Sequence, residues 1–510
     1  MIKWQIELDS FLEANLLRDL AINEGASISL SQEVQGKVNQ SHTFLLERIN
    51  SGDWIYGYSS GFGPLAHENS VKCDNIQHQK NLLYHLATGQ GENLSLQESR
   101  AVLALRIRQL ALGFSGVSLA TLLAIIELFN KGFAAAIPAL GSVGASGDLT
   151  PLSHLALSLS GEGEVYKNGS IIDSQLWFAQ NGLNPIVWQE REALAFVNGT
   201  ACMTALAALN LVQLKKILSR SLTQVFIYAE MLSAYREAWN PLLAQARPHK
   251  GQKLLSETLF NWSLESDFFT AEQQYQTNDE FSDKLPQDAY SIRCAPQLLG
   301  AVHDDYEALG KTIDCEINSA SDNPTIFALE KQIIHGGNFN GQHIAFASDS
   351  LNQKLVYLAI YAEKRISKIC DPKHNMGLSA FLKPTPLGLN SGFMGAQVTS
   401  TALLANLKLN SKPVSLETMA TNGDNQDMIS MGTLSAWRGR EMLSNVFAIL
   451  AIEAMILAEA IDQRQVLKKR KMAALTEDFY KDIRTQVPPL KKDRPLSKEI
   501  KQLASVFFNA

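Results

Sequence analysis

The chain has 510 residues, 46% of them hydrophobic and 19% charged, with a formal net charge of -6 and an isoelectric point near 6.0. That is globular composition with material for a large core, and it excludes a disordered chain. It also excludes a nucleic-acid surface, which needs concentrated Lys and Arg to displace counterions.

The start, Met1-Ile2-Lys3-Trp4-Gln5-Ile6-Glu7, lacks the basic segment and long apolar stretch of an export signal, so a cytoplasmic location is expected. Residues 53–58, which include Trp54-Ile55-Tyr56, read as a strand. Gly61-Phe62-Gly63 lacks the remainder of a dinucleotide or P-loop fingerprint, so no nucleotide cofactor is expected. Residues 99–114 and 119–129 are rich in Ala and Leu, with apolar positions three and four apart and sparse polar interruptions, as in helices covered on most sides. Next comes Gly141-Ser142-Val143-Gly144-Ala145-Ser146-Gly147-Asp148-Leu149-Thr150-Pro151, a run of small residues ending in a helix start. Thr150 can cap there and Pro151 suits the first helical position, ahead of the apolar 152–159. Taken alone, such a run is a tight loop between helices.

Residues 164–166 before Asn168-Gly169, and 332–335 before Gly336-Gly337, read as strands of small hairpins. Residues 199–218, 348–369 and 440–462 repeat the buried-helix pattern. The most apolar stretch, 446–457, carries Glu453 and is too short to span a bilayer, so a buried helix and no membrane partner are expected. The basic run Lys468-Lys469-Arg470-Lys471 reads as a solvated face or loop. The five cysteines (Cys73, Cys202, Cys294, Cys315, Cys370) form no CxxC pair and have no histidine at zinc-ligand spacing, so free thiols and no metal are expected. No Pro/Gly/Ser-rich linker interrupts the chain. The expected fold is mainly α, an elongated central helical bundle with small peripheral β-hairpins. It forms one intertwined unit, with an N-terminal part at 1–198 and the bundle and C-terminal helices at about 199–510.

The run from Gly141 to His154, completed by Leu152-Ser153-His154, resembles the signature of the histidine, phenylalanine and tyrosine ammonia-lyases. Further matching segments are Ile55-Tyr56-Gly57 with Gly61-Phe62-Gly63, Leu194-Ala195-Phe196-Val197-Asn198-Gly199-Thr200 and Gln287-Asp288-Ala289-Tyr290-Ser291-Ile292-Arg293-Cys294-Ala295-Pro296-Gln297. Ser321-Asp322-Asn323-Pro324, His335-Gly336-Gly337-Asn338-Phe339, Asn390-Ser391-Gly392-Phe393-Met394-Gly395-Ala396-Gln397 and Asn425-Gln426-Asp427 follow in family order. The resemblance implies an ammonia-lyase/fumarase-like architecture and a homotetramer whose active sites are assembled from several subunits. It also implies a 4-methylideneimidazol-5-one group, made in the family by cyclisation of an Ala-Ser-Gly triad, here Ala145, Ser146 and Gly147. The residue types suit that closure. The Gly147 nitrogen must reach the Ala145 carbonyl, bulky side chains would obstruct the bend, and Ser146 loses its hydroxyl to become the electrophilic methylidene.

Eliminating ammonia from an α-amino acid requires loss of a weakly acidic β-proton and a way to make the amine leave. The resemblance gives the first task to Tyr56, whose phenol, ordinarily near pKa about 10, is expected to be depressed by its surroundings. It makes Arg293 a clamp for the substrate carboxylate through paired charge-assisted hydrogen bonds. Tyr290 resembles the residue that contacts the electrophile and the reacting amine, and Asn198 and Gln287 resemble amides that orient them. Phe339 resembles an aromatic wall residue; Gly63, Asn425 and Gln426 are counted as substrate contacts, with Asn422 beside them. Without the resemblance, Tyr56 and Phe339 read as packing, the amides as satisfied buried groups and Arg293 as half of an ion pair.

Family members select substrate partly through a dipeptide on the helix after the Tyr-Gly segment: Ser-His in histidine lyases, Phe-Leu in phenylalanine lyases, His-Leu in tyrosine lyases. This chain has His85-Leu86 there. A histidine nitrogen can bond a phenolic hydroxyl, and such a site discriminates strongly against the analogue lacking it. Histidine lyases tend to show Asn-Gln-Glu-Asp-His where this chain reads Asn425-Gln426-Asp427-Met428. The expected reaction is conversion of L-tyrosine to trans-4-coumarate and ammonia. Phenylalanine, histidine or dihydroxyphenylalanine as substrate, a tyrosine 2,3-aminomutase, and a non-catalytic helical scaffold stand as alternatives. Tyr58-Ser59-Ser60 and Asp424 depart from common family residues and bear on pocket shape.

Overall fold

The computed structural model describes residues 2–69, 74–271, 287–384, 388–467 and 470–509. They are mainly helical, and the strands form small two-stranded sheets. Lys3–Ile6 pairs in parallel with Ser27–Leu30. The other pairs are antiparallel: Gln90–Asn93 with Pro138–Leu140, Glu164–Lys167 with Ser170–Asp173, and Thr325–Phe327 with Gln332–Ile334. The mainly α reading with small hairpins therefore holds.

The expected strand at 53–58 does not form; residues 56–59 are a turn. The Ile55 N–H bonds the Ser59 hydroxyl at 2.8 Å, and the Tyr58 and Ser59 amides return to the Ile55 carbonyl, so local hydrogen bonds outcompete the β propensity of the aromatic residues. Tyr58 packs on a cluster of Phe44, Leu45, Ile55 and Ile326.

The chain folds into two compact units, each built from separated segments. The first comprises Met1–Val212, Leu309–Ser350 and Pro413–Arg440, so it runs past residue 198 and takes back two later segments. The second comprises Gln213–Ala308, Leu351–Lys412 and Glu441–Ala510.

In the first unit the Leu96–Ala111 helix opens on a capping box, with Ser95 and Glu98 satisfying each other's amides. Arg100, Arg106 and Arg108 lie inside the protein on this helix. Arg100 stays satisfied by donating to the Ala21 and Phe129 carbonyls and stacking 4.4 Å over the Phe129 ring. In the second unit the apolar 446–457 stretch lies within the Gly432–Leu467 helix, and its Glu453 is matched by the fully buried Arg365, 2.8 Å from Nη2. Ala201–Met231 and Gly432–Arg464 are long and apolar enough to cross a membrane, yet 83% of each apolar window is buried in the protein. Cys202, Cys294, Cys315 and Cys370 are free thiols, while Cys73, Lys468 and Lys469 lie outside the described residues. Among the described residues no cluster of His, Cys, Asp and Glu is placed to hold a metal.

Candidate active site

The first unit carries an open cavity of ≈620 Å3, within the usual size of small-molecule sites. Far-separated segments converge on it: Tyr56 and Gly63, His85 and Leu86, Ala145 and Ser146, Asn198, Phe339, Asn425 and Gln426 all line its wall. Gln287, Tyr290 and Arg293 do not line it; they belong to the second unit.

The 141–148 loop is held from several sides. Ser142 Oγ accepts from the Gly144 amide at 3.1 Å and donates to the Gly147 carbonyl at 3.3 Å. The Met431 amide donates to the Val143 carbonyl at 2.9 Å and Ser430 Oγ to the Gly144 carbonyl at 3.0 Å. Ala145 packs on Val414, Ile429 and Met431. Within this clamp Ala145 and Gly147 form a backbone bridge across Ser146, and Gly147 has φ +69. A Cβ on Gly147 would lie 2.2 Å from the Gly199 carbonyl oxygen, so the bend tolerates glycine alone.

The helix after this loop, Leu149–Leu159, begins two residues earlier than the Thr150-Pro151 signal suggested, with Asp148 at the N-cap making no capping bond. The Asp148 carboxylate is occupied elsewhere. It accepts from the Met203 amide at 2.9 Å, at the start of the Ala201–Met231 helix, and from the Thr433 hydroxyl. Burial pushes its pKa up to about 6 against these bonds.

Tyr56 is half-buried, and the Gly63 N–H donates to its phenolic oxygen at 2.8 Å. Gly63 thus spends its amide on the Tyr56 phenol. The expectation of a depressed phenol is not met: burial raises the Tyr56 pKa above its ordinary value, outweighing the Gly63 hydrogen bond and the Arg191 charge. The Tyr56 amide donates to His335 Nε2 at 3.3 Å, and Phe62 stands edge-on to the Tyr56 ring. The buried Gln79 bonds both the Gly57 carbonyl, at 3.0 Å, and the Leu194 amide, at 3.2 Å. It thereby fixes the Tyr56 turn to the Asn75–Leu86 helix and to the Glu192–Val197 helix.

His85 and Leu86 close the Asn75–Leu86 helix, with His85 Nδ1 3.1 Å from the Asn81 carbonyl. Asn198 follows the Glu192–Val197 helix, whose terminal carbonyls are gathered by the buried Arg106: Nε bonds Phe196 O at 2.8 Å and Nη2 bonds Asn198 O at 3.0 Å. Asn198 Nδ2 donates to Asn323 O at 3.2 Å, while its buried Oδ1 has no partner among the described residues. Arg191 forms a buried two-pronged pair with Asp322, both contacts at 3.1 Å. On the facing loop, Gln426 Oε1 accepts from Thr421 and Asn422, each at 2.9 Å, which turns Nε2 toward Ser146 Oγ at 3.2 Å.

Sequence reasoning assigned no role to Gln79, Arg106, Arg191, Asn323 or His335. Asn323 and His335 fall inside segments that carried the resemblance; the buried polar residues gave no local signal. Ser59 and Ser60 are buried and use their hydroxyls within the Tyr56 turn.

In the second unit Tyr290 and Arg293 share the short Tyr290–Arg293 helix, with the Arg293 guanidinium 4.7 Å from the Tyr290 ring centre. The Tyr361 hydroxyl donates to the Ser291 carbonyl at 2.7 Å and the Trp239 indole to the Ile292 carbonyl at 2.9 Å, which fixes the helix. Tyr290 is 68% exposed, and Gln287 is exposed beside it in sequence.

The family model for aromatic amino acid lyases matches residues 12–485. The chain is 37% identical to tyrosine ammonia-lyase from Cereibacter sphaeroides over 98% of its own length and 97% of that protein's. It is 35% identical to histidine ammonia-lyase from Myxococcus xanthus, over 97% and 95% of the two lengths. The solved structure of tyrosine aminomutase from Streptomyces globisporus matches 100% of this chain and 97% of that one, with a TM-score of 0.92 at 30% identity. Matches that run through every segment of the cavity wall identify the chain as a member of the aromatic amino acid lyase family, carbon–nitrogen lyases of small aromatic amino acids.

Proposed function

We propose that this protein is a cytoplasmic tyrosine ammonia-lyase, a homotetramer with sites assembled from several subunits, which converts L-tyrosine to trans-4-coumarate and ammonia. The observation that carries the substrate assignment is the state of His85 in the wall shared with Ser146. A carbonyl only accepts, so the contact with Asn81 O places a proton on Nδ1, and in the neutral ring Nε2 is then the acceptor. A substrate phenol donates to that nitrogen, whereas phenylalanine leaves it unpaired.

The Ala145-Ser146-Gly147 bend fits closure into 4-methylideneimidazol-5-one, because it bridges Ala145 to Gly147 and has no room for a side chain at Gly147. When formed, that group supplies an electrophile that converts the amine into a leaving group. Tyr56 takes the β-proton onto its phenolic oxygen, where the Gly63 amide steadies the anion. Asn198 Oδ1, without a partner among the described residues, accepts from a substrate N–H, and before closure the Gln426 amide holds the Ser146 hydroxyl that closure expels as water. Arg293 receives the carboxylate and Tyr290 adjoins the amine.

A tyrosine 2,3-aminomutase uses the same groups and returns ammonia to the β-carbon; the likeness to tyrosine aminomutase keeps that reading in view. Supplying tyrosine, phenylalanine and histidine separately, with products identified by mass and absorbance, tests the assignment. Coumarate with free ammonia is expected, and β-tyrosine as main product identifies the mutase. A polypeptide not lighter by two waters, with no product from any of the three, removes the proposal.

A further inference from the structure

His154 ends the signature run, yet nothing in the reaction uses it. It sits on the Leu149–Leu159 helix, which begins directly after the Ala145–Gly147 bend. Its Nε2 accepts a hydrogen bond from the Gly89 amide at 3.0 Å. Gly89 lies three residues beyond Leu86, the end of the helix that carries the substrate-selecting pair.

The contact belongs to a tight junction. A Cβ on Gly89 would meet His154 Nε2 and Pro138 Cβ, both at 3.0 Å, and one on Gly141 would lie 3.1 Å from Gly89 Cα. Immediately after Gly89, Gln90 pairs with Leu140 in the sheet that leads into Gly141 and the bend. The chain leaving His85-Leu86 is therefore wedged between the strand entering the Ala145–Gly147 loop and the helix leaving it. The His154 side chain bonds the backbone of that wedge and fixes its own protonation state in doing so: as an acceptor, Nε2 carries no proton. Burial lowers the His154 pKa and so favours that neutral form.

We infer that His154 is a positioning residue for substrate choice: by holding the Gly89 amide it sets how far His85 and Leu86 stand from Ser146, and hence which side chain the cavity accepts. The direction of the effect, but not its existence, rests on the tyrosine reading of His85. Without this acceptor the Gly89 amide loses its partner and the end of the Asn75–Leu86 helix can shift relative to the bend. Small displacements between reacting group and anchor change rates unequally for ligands of different reach.

The test compares parent, His154→Leu and His154→Gln on tyrosine, phenylalanine and histidine, with intact mass and Tm recorded for each. Leu keeps bulk without an acceptor; the Gln carboxamide oxygen can take the place of Nε2. We expect His154→Leu to remain lighter by two waters while its tyrosine-to-phenylalanine ratio of kcat/KM falls roughly tenfold, and His154→Gln to recover most of the ratio. A purely structural role lowers Tm and all three rates together and leaves the ratios alone. Unchanged ratios in His154→Leu overturn the inference. Should that variant not fold, His154→Asn, too short to reach Gly89, carries the same expectation and the same refutation. The parent's own profile separates the two claims, since a parent that does not prefer tyrosine removes the reading of His85, while the ratios in the His154 variants still decide the role of His154.

Discussion

Tyr56 lies under opposed influences: burial disfavours its phenolate, while the Gly63 amide and the Arg191 charge favour it, and burial wins. The basic form therefore grows as pH rises, and kcat/KM is expected to climb through the alkaline range; a profile already flat at neutral pH would contradict this role. Tyr56→Phe should lower kcat by about 10²- to 10⁴-fold, as loss of a general base does, with the two-water mass deficit unchanged. For His85→Phe the expected result is a shift of relative kcat/KM toward phenylalanine by at least about tenfold, read from paired assays on the two substrates. Asp148 gives a prediction on stability instead. Its pKa is raised from 3.8 unfolded to about 6 folded, so its contribution is fully present below 3.8 and is lost as pH rises through about 6. In denaturant titrations, the stability of the parent relative to Asp148→Asn should fall across that window. These roles were legible to different degrees. The motif named Tyr56 and His85, but the burial and the Arg191 charge that act on Tyr56 come from residues distant in sequence, and the His85 contact with Asn81, only four residues away, depends on a side-chain rotamer that sequence does not report.

At the level of elements, the sequence located helices better than it located their ends. The pattern at 99–114 corresponds to the Leu96–Ala111 helix, whose start is set by the Ser95 and Glu98 capping box rather than by the first apolar repeat. Ser95→Ala should cost about 1 kcal/mol, seen as a lower denaturation midpoint with little change in activity per folded molecule. The 53–58 segment misled because Ile and aromatic residues favour strands, while Ser59 offers the backbone a turn that no hydrophobic pattern reports. The same limit explains the start of the Leu149–Leu159 helix. Asp148 could have capped it, but the carboxylate is drawn to the Met203 amide and Thr433, contacts invisible to a local reading.

The whole molecule shows where local signals end. Helical patterns foretold a mainly α fold, but the composition of each unit depends on contacts between segments hundreds of residues apart, so the return of Leu309–Ser350 and Pro413–Arg440 to the first unit had no sequence mark. The cavity wall gathers Tyr56, the bend at Ala145 and Ser146, and His85-Leu86 in the first unit, whereas Tyr290 and Arg293 belong to the second. The proposed tetramer makes a specific claim about that division: one chain supplies Tyr56 to a site that takes Arg293 from another. Subunits carrying Tyr56→Phe and subunits carrying Arg293→Ala should each be inactive alone. Co-expressed in equal amounts, random assembly gives some sites both intact residues, and activity should return to about a quarter of the parent's. If both residues of a site came from one chain, no mixed site could hold the intact pair, and co-expression would restore nothing.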